Sequence, residues 1–341
     1  MIWMLSDLVR RINRLPSFQL IFTTMLVLAI TAAGRGPVES FLRRGNRLMD
    51  QGLFTEAVAA YTRALQRNPS NAKVYYYRAL ANEMVNRQAA IADWHRFAES
   101  AITDSRMKEA VPQVQQRVQA LEKKTELPDL LHPSRYVPKA GDYYPQVADA
   151  SLGLQWTEFP VKVLAKDPPK EWKRALEESL ETWMSVFPLQ AVSTREQADI
   201  VISWVKLPKG NVGTERDSMQ VRTEDERVVK RQRLSSIILD SSHRWSEREM
   251  HAAVLHELGH ALGIGGHSDD SRDVMFPAEI ESFEELSGKV PAGVAAGVAG
   301  LSVVGPPGVR SSIQISTKLT PRDINTLIRL YNCPGPLVYL K

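Results

Sequence analysis

The sequence predicts an α+β protein, in which an all-α region of helical hairpins precedes a twisted mixed sheet lying over one central helix. Three observations predict it. Residues 38–104 repeat with a period of 34, Arg44 recurring as Arg78 and Gly45 as Ala79, with small residues spaced as in paired helices. Short apolar runs then alternate with helical patterns between residues 156 and 239. Finally, residues 256–267 read HELGHALGIGGH, two imidazoles four apart on one helix with glycines beyond them.

Composition sets the outer bounds. With 341 residues and 43% hydrophobic content, the chain has apolar material for two domains and a further N-terminal hydrophobic segment. Its 43 basic and 39 acidic residues leave a formal charge of only +4, spread without a basic stripe, so nucleic-acid binding is not indicated. Cys333 is the only cysteine, which excludes an intrachain disulfide and leaves the redox compartment open.

At the N-terminus, Arg10, Arg11 and Arg14 precede a charge-free run over residues 15–34. Twenty helical residues span about 30 Å, the thickness of a bilayer core. Residues 1–36 therefore read as a signal peptide or membrane anchor, with Thr31, Ala32 and Ala33 small enough for a cleavage site. Arg35, Arg43, Arg44 and Arg47 follow the run and dilute the positive-inside bias. The expectation is a membrane-anchored or secreted protein with the remainder on the extracytoplasmic side.

Residues 38–124 form the predicted helical repeat region. In its first unit Gly45, Gly52, Ala57, Tyr61, Ala64 and Pro69 stand at spacings that resemble a tetratricopeptide repeat. Small residues let two antiparallel helices approach, Tyr61 fills the gap between them, and Pro69 stops the second. Ala90 and Trp94 take comparable places in a looser second unit. Two repeats leave faces uncovered, so the amphipathic stretch with Val114, Val118 and Leu121 is expected to cap them. The region reads as a groove for a protein partner, or as a passive spacer.

Residues 125–150 hold Pro128, Pro133, Pro138 and Pro145 and read as a linker. Residues 151–341 then form the second domain. Phe159, Val161 and Val163 alternate along a strand; Trp172, Leu176, Leu180, Trp183 and Phe187 share one helical face; the run ADIVISW over 198–204 suits a strand covered on both sides. Ile237 to Leu239 adds another strand. Ser246 and Glu249 form a capping box that opens the central helix. An insertion over 278–318, uncharged from 290 to 309 with five glycines and three prolines there, reads as an apolar flap or a disordered excursion and not as a spanning helix. Thr320, Pro321 and Asp323 start a terminal helix.

On the central helix His256 and His260 point the same way, so both rings can reach one metal ion. Glu257, beside the first of them, can hold a proton next to that metal without becoming a ligand. Gly263 allows a sharp exit from the helix, and Gly265 and Gly266 give the chain freedom to return His267 as a third ligand. Asp273-Val274-Met275-Phe276-Pro277 follows.

HELGH with Gly263 and His267, together with that Met-Phe-Pro stretch, resembles the metzincin superfamily of zinc endopeptidases and, within it, the matrixins. The likeness extends over about residues 151–341 through the order of helices and strands. It implies a metzincin-like catalytic domain with one catalytic zinc held by His256, His260 and His267, Glu257 as general base, and Met275 in a Met-turn beneath the metal. It also implies that the charged stretch 211–233 holds an edge strand along which an extended substrate lies. The family's usual third histidine lies six residues after the second, whereas His267 lies seven after His260; Asp269 or Asp270 are the oxygen-donor substitutes. No cysteine precedes the central helix, so the family's cysteine-switch propeptide has no counterpart. Phe276 lacks the hydroxyl that some metzincins use as an extra ligand. The second, structural zinc site of animal matrixins has no visible ligands, and His95, His132, His243 and His251 read as packing or surface residues. Calcium has no motif to support it.

The implied activity is hydrolysis of peptide bonds in a protein or peptide substrate, with a possible protein partner on the repeats and the membrane reached through residues 15–34. The alternative is a membrane-tethered tetratricopeptide adaptor whose protease-like domain binds peptides without cutting them.

Overall fold

A computed structural model describes residues 36, 38–102, 107–124, 126–207, 211–224, 227–277, 300–302, 316–336 and 338. The N-terminal hydrophobic run, and the insertion apart from residues 300–302 and 316–318, lie outside the described residues. None of the described helices is long and apolar enough to cross a membrane. The chain divides into two compact units, Met1–Lys108 and Glu109–Lys341.

Among its described residues the first unit holds the helices α1 (38–50), α2 (Phe54–Arg67), α3 (Ala72–Glu83) and α4 (Arg87–Ala101). The starts of α3 and α4 follow from Asn71 and Asn86, whose side chains accept from the Val74 and Ala89 amides. Tyr61, fully buried, lies between α1 and α2 as the spacing predicts, packed with Val38, Leu42, Ala57 and Ala64. A Cβ on Gly45 would stand 2.2 Å from the Tyr61 ring, so only glycine admits the tyrosine. Trp94 is likewise buried, and its indole donates to Glu83 at 2.7 Å. Arg78 and Asn82 both donate to the buried Asp93, tying α3 to α4.

The second unit opens on α5 (Val111–Lys123), the helix expected to cap the repeats. The apolar stripe is real, with Val114, Val118 and Leu121 buried, but the helix belongs to the other unit. Arg117, completely buried, donates to the Gly335 and Pro336 carbonyls and to the Tyr144 hydroxyl, and Lys124 donates to Asn332. An amphipathic pattern states that a face is covered, not by what.

The expected linker is also folded. Its prolines exclude long helices, leaving short 3₁₀ turns and the single-turn α6 (Tyr144–Val147), yet Leu131, Tyr143, Tyr144 and Val147 are buried. The partners come from α9 (Pro321–Asn332), whose Asp323, Asn325, Thr326 and Asn332 are polar and buried. Asn325 exchanges hydrogen bonds with Val137 and donates to the Gly141 carbonyl; Thr326 accepts from the Tyr143 amide; Asn332 donates to the Leu131 carbonyl. Buried polar groups need partners, and this irregular segment supplies them.

One six-stranded sheet follows, in the order β2-β1-β3-β5-β4-β6. Its strands are β1 (Val161–Ala165), β2 (Leu189–Ala191), β3 (Ile200–Val205), β4 (Asn211–Glu224), β5 (Arg227–Asp240) and β6 (Gly300–Ser302). The first four in that order run parallel, whereas β4 pairs antiparallel with β5 and β6. β3 is central and buried on both faces at Ile200, Val201 and Ile202, as its apolar run requires. Two expectations change here. The charged stretch forms most of a long β4–β5 hairpin, and near Asn211 and Thr214 the outer side of β4 is paired with β6 from the insertion, so it is not a free edge at that point. The helices α7 (Lys173–Met184) and α8 (Glu247–Ala261) lie together. Trp183 donates from its indole to the Leu255 carbonyl at 3.0 Å, and Ser179 donates to the His251 carbonyl at 3.1 Å.

Candidate metal centre

α8 starts at the predicted capping box: the Ser246 hydroxyl accepts from the Glu249 amide, and the Glu249 carboxylate accepts from the Ser246 amide. It ends in a Schellman turn, with Gly263 N–H donating to His260 O and Ile264 N–H to Gly259 O. That turn needs a left-handed residue, and Gly263 has φ +110°. The stop predicted at Gly263 is therefore met, and it sends the chain back toward the helix face that carries the histidines.

His256, His260 and His267 come together, each offering one ligand atom, with these atoms all within 4.8 Å of one another. Their ring centroids are 4.9, 5.0 and 5.2 Å apart. This is the one such group of potential ligands among the described residues. The extra residue between His260 and His267 does not turn the third ring away. Asp269 and Asp270, the proposed substitutes, are engaged elsewhere: Arg322 bonds both, and Arg272 grips Asp270.

Two of the rings are oriented by backbone carbonyls. His256 Nδ1 lies 2.8 Å from Val274 O, and His260 Nδ1 lies 2.7 Å from Ile264 O. A carbonyl only accepts, so each Nδ1 carries the proton and each Nε2 presents a lone pair. The Nε2 of His256 is buried with no hydrogen-bond partner. Burial, together with the neighbouring His260, holds the His256 pKa well below the usual imidazole range, and burial lowers that of His267. Three convergent imidazoles, two of them with Nδ1 tied to a backbone carbonyl, fit a divalent transition metal such as zinc.

Glu257 is buried, and neither of its carboxyl oxygens has a hydrogen-bond partner. Burial first, and Glu215 second, push its pKa up to about 8. β4 passes directly over it, since a Cβ on Gly213 would stand 3.1 Å from Glu257 Oε1. Met275 is fully buried beneath the site, against Gly259 of α8. Its turn is held by α9: Asp323 accepts from the Val274 amide, and Thr320 donates to Asp273. The sequence pattern did not single out Gly213 or Tyr143, because each matters through a partner far away in the chain, Glu257 and Asp323 respectively.

Fold and site together are those of a matrixin-like domain, in a chain that also carries a tetratricopeptide-like region. Residues 157–287 match the family model described as Matrixin, and residues 45–85 match a model described as TPR repeat. No curated protein matches the chain.

Proposed function

We propose that this chain is a zinc-dependent endopeptidase, with His256, His260 and His267 as the metal ligands and Glu257 as the general base. The observation that supports this reading best is the convergence of three histidine ligand atoms within 4.8 Å beside a buried carboxyl group with two unpartnered oxygens. A zinc ion at such a site supplies Lewis acidity, which acidifies water and polarises a peptide carbonyl.

The chain's own residues do the rest. The Val274 and Ile264 carbonyls fix the rings of His256 and His260, so two Nε2 lone pairs face one point. On this reading Glu257 takes a proton from the attacking water and returns it to the leaving amine. A divalent cation alongside favours its carboxylate form, against the burial that otherwise raises its pKa. The burial of Glu257 limits access of competing water.

The repeat region adds a binding site for a protein partner, and residues 15–34 anchor or export the chain so that the catalytic domain works on the extracytoplasmic side. Both belong to the proposal, motivated by the repeat match and by the charge-free run behind three arginines. Metal analysis of the purified protein with a generic fluorogenic peptide tests the central claim. Stoichiometric zinc and chelator-sensitive cleavage are expected; zinc without cleavage, alongside partner capture by the repeats, would replace it with the adaptor reading.

A further inference from the structure

The loop that carries His267 is held on both sides. On the near side, Gly265 and Gly266 press against residues 147–151: a Cβ on Gly265 would stand 2.1 Å from Ala150 O, and one on Gly266 would stand 3.2 Å from Val147 Cγ1. Gly265 N–H donates to Ser151 Oγ at 2.9 Å, and that hydroxyl donates in turn to Val147 O at 2.7 Å. Ser151 is fully buried, with both its donor and an acceptor position used. On the far side, Ser268 N–H donates to Met275 O at 2.9 Å and Ser268 Oγ to Asp273. His267 thus hangs between a serine from outside the matrixin-matching segment and the turn beneath the metal site.

We propose that Ser151 is the positioning residue for the third metal ligand, clamping Gly265 so that the glycine-rich loop presents His267 to the pair on α8. The inference rests on reading the three histidines as ligands. Its physical ground is that a loop with three glycines in four residues loses much backbone freedom on ordering. A ligand on such a loop binds weakly unless something else orders it first. Close backbone contact at Gly265 and Gly266 limits where the loop lies, and the directional bond from Gly265 N–H to Ser151 Oγ sets its register. The longer spacing from His260 to His267 makes this clamp necessary: one more residue means more conformations to remove.

The experiment uses the full chain, with zinc affinity from chelator competition, the visible absorption spectrum of the cobalt-substituted protein, and thermal unfolding of the metal-free form. Ser151→Ala is expected to weaken zinc binding 10- to 100-fold and to alter the cobalt bands. In a His267→Ala background the same change should have no further effect on affinity, because the residue it acts through is gone. Should Ser151→Ala not fold, Ser151→Cys, whose sulfur is a weak acceptor, is read in the same way. A Ser151 variant that unfolds at lower temperature yet binds zinc and gives cobalt bands like the parent would overturn the positioning role and leave the peptidase reading intact. A parent protein that binds no zinc would instead overturn the ligand assignment itself, and this role with it.

Discussion

Gly259 and Met275 meet so closely that a Cβ on the glycine would stand 2.2 Å from the methionine sulfur and 3.5 Å from Trp183. The glycine of HELGH is thus the seat on α8 into which the Met-turn packs. Gly259→Ala should therefore displace Met275, and overpacking of this kind costs about 1–3 kcal/mol. Thermal denaturation should show that loss, with weaker zinc retention during dialysis. An alanine variant as stable and as zinc-loaded as the parent would mean the turn is free to shift.

Glu257→Gln keeps the side-chain shape in a buried site and removes the proton acceptor. Zinc content should be unchanged while peptide cleavage falls by about 10²- to 10⁴-fold. His260→Ala should lose zinc and cleavage together. Equal loss of zinc in both variants would assign Glu257 a structural role.

His251, on α8, has its pKa lowered by burial, opposed by Glu178 of α7 and by Glu247 of its own helix. A base whose folded pKa lies below its unfolded value, near 6.5, binds its proton more readily in the unfolded chain. Its contribution to stability is complete above that value and is lost as the pH falls through the lower, folded pKa. His251→Gln should flatten the fall in unfolding temperature on acidification below about pH 6.5. Parallel pH curves for parent and variant would show that this ring is not responsible.

In the repeat region, the Tyr61 ring would lie 2.2 Å from a Cβ on Gly45, and its hydroxyl donates to Asn46 at 2.9 Å. Gly45→Ala should push the ring out of its slot, a cost of about 1–3 kcal/mol. Hydrogen exchange confined to residues 38–101 should report it as faster exchange. Unchanged protection would show that the slot widens without strain.

What was legible in the sequence was local. The Ser246–Glu249 capping box, the start of the terminal helix at Thr320, the exit at Gly263 and the one-turn separation of His256 from His260 depend on neighbours a few residues away, and each stands where spacing put it. The doubly buried β3 was equally readable, because its apolar run is continuous. Much of the rest needed partners far along the chain. Val114, Val118 and Leu121 announced a covered face, but the Arg117 contacts that assign it to the second unit come from Gly335 and Pro336. Prolines hid the burial of Tyr143 and Tyr144, and the face of α9 that meets this segment is polar, being Asp323, Asn325 and Thr326. Charge concealed the length of the β4–β5 hairpin in the same way. At the site, the convergence of His256 and His260 followed from helical geometry, whereas the loop that carries His267 makes contacts with residues 147–151 that no spacing rule contains.

Asp323 ties α9, the former linker and the Met-turn into one cluster. It is fully buried, one oxygen accepting from the Thr320 and Val274 amides and the other from the Tyr143 hydroxyl at 2.7 Å. Asparagine keeps an oxygen for the two amides and turns a nitrogen toward Tyr143, whose hydroxyl can rotate to accept from it. Alanine instead strands two backbone donors and a phenol, and each buried donor left unmade costs about 1–3 kcal/mol. Asp323→Asn should thus be tolerated with a modest fall in unfolding temperature, while Asp323→Ala should lose several times more and release zinc more readily as the Val274 carbonyl drifts from His256. Calorimetry with chelator challenge separates the two. Equal destabilisation by both would show that the negative charge, and not the hydrogen-bond count, is what the cluster requires.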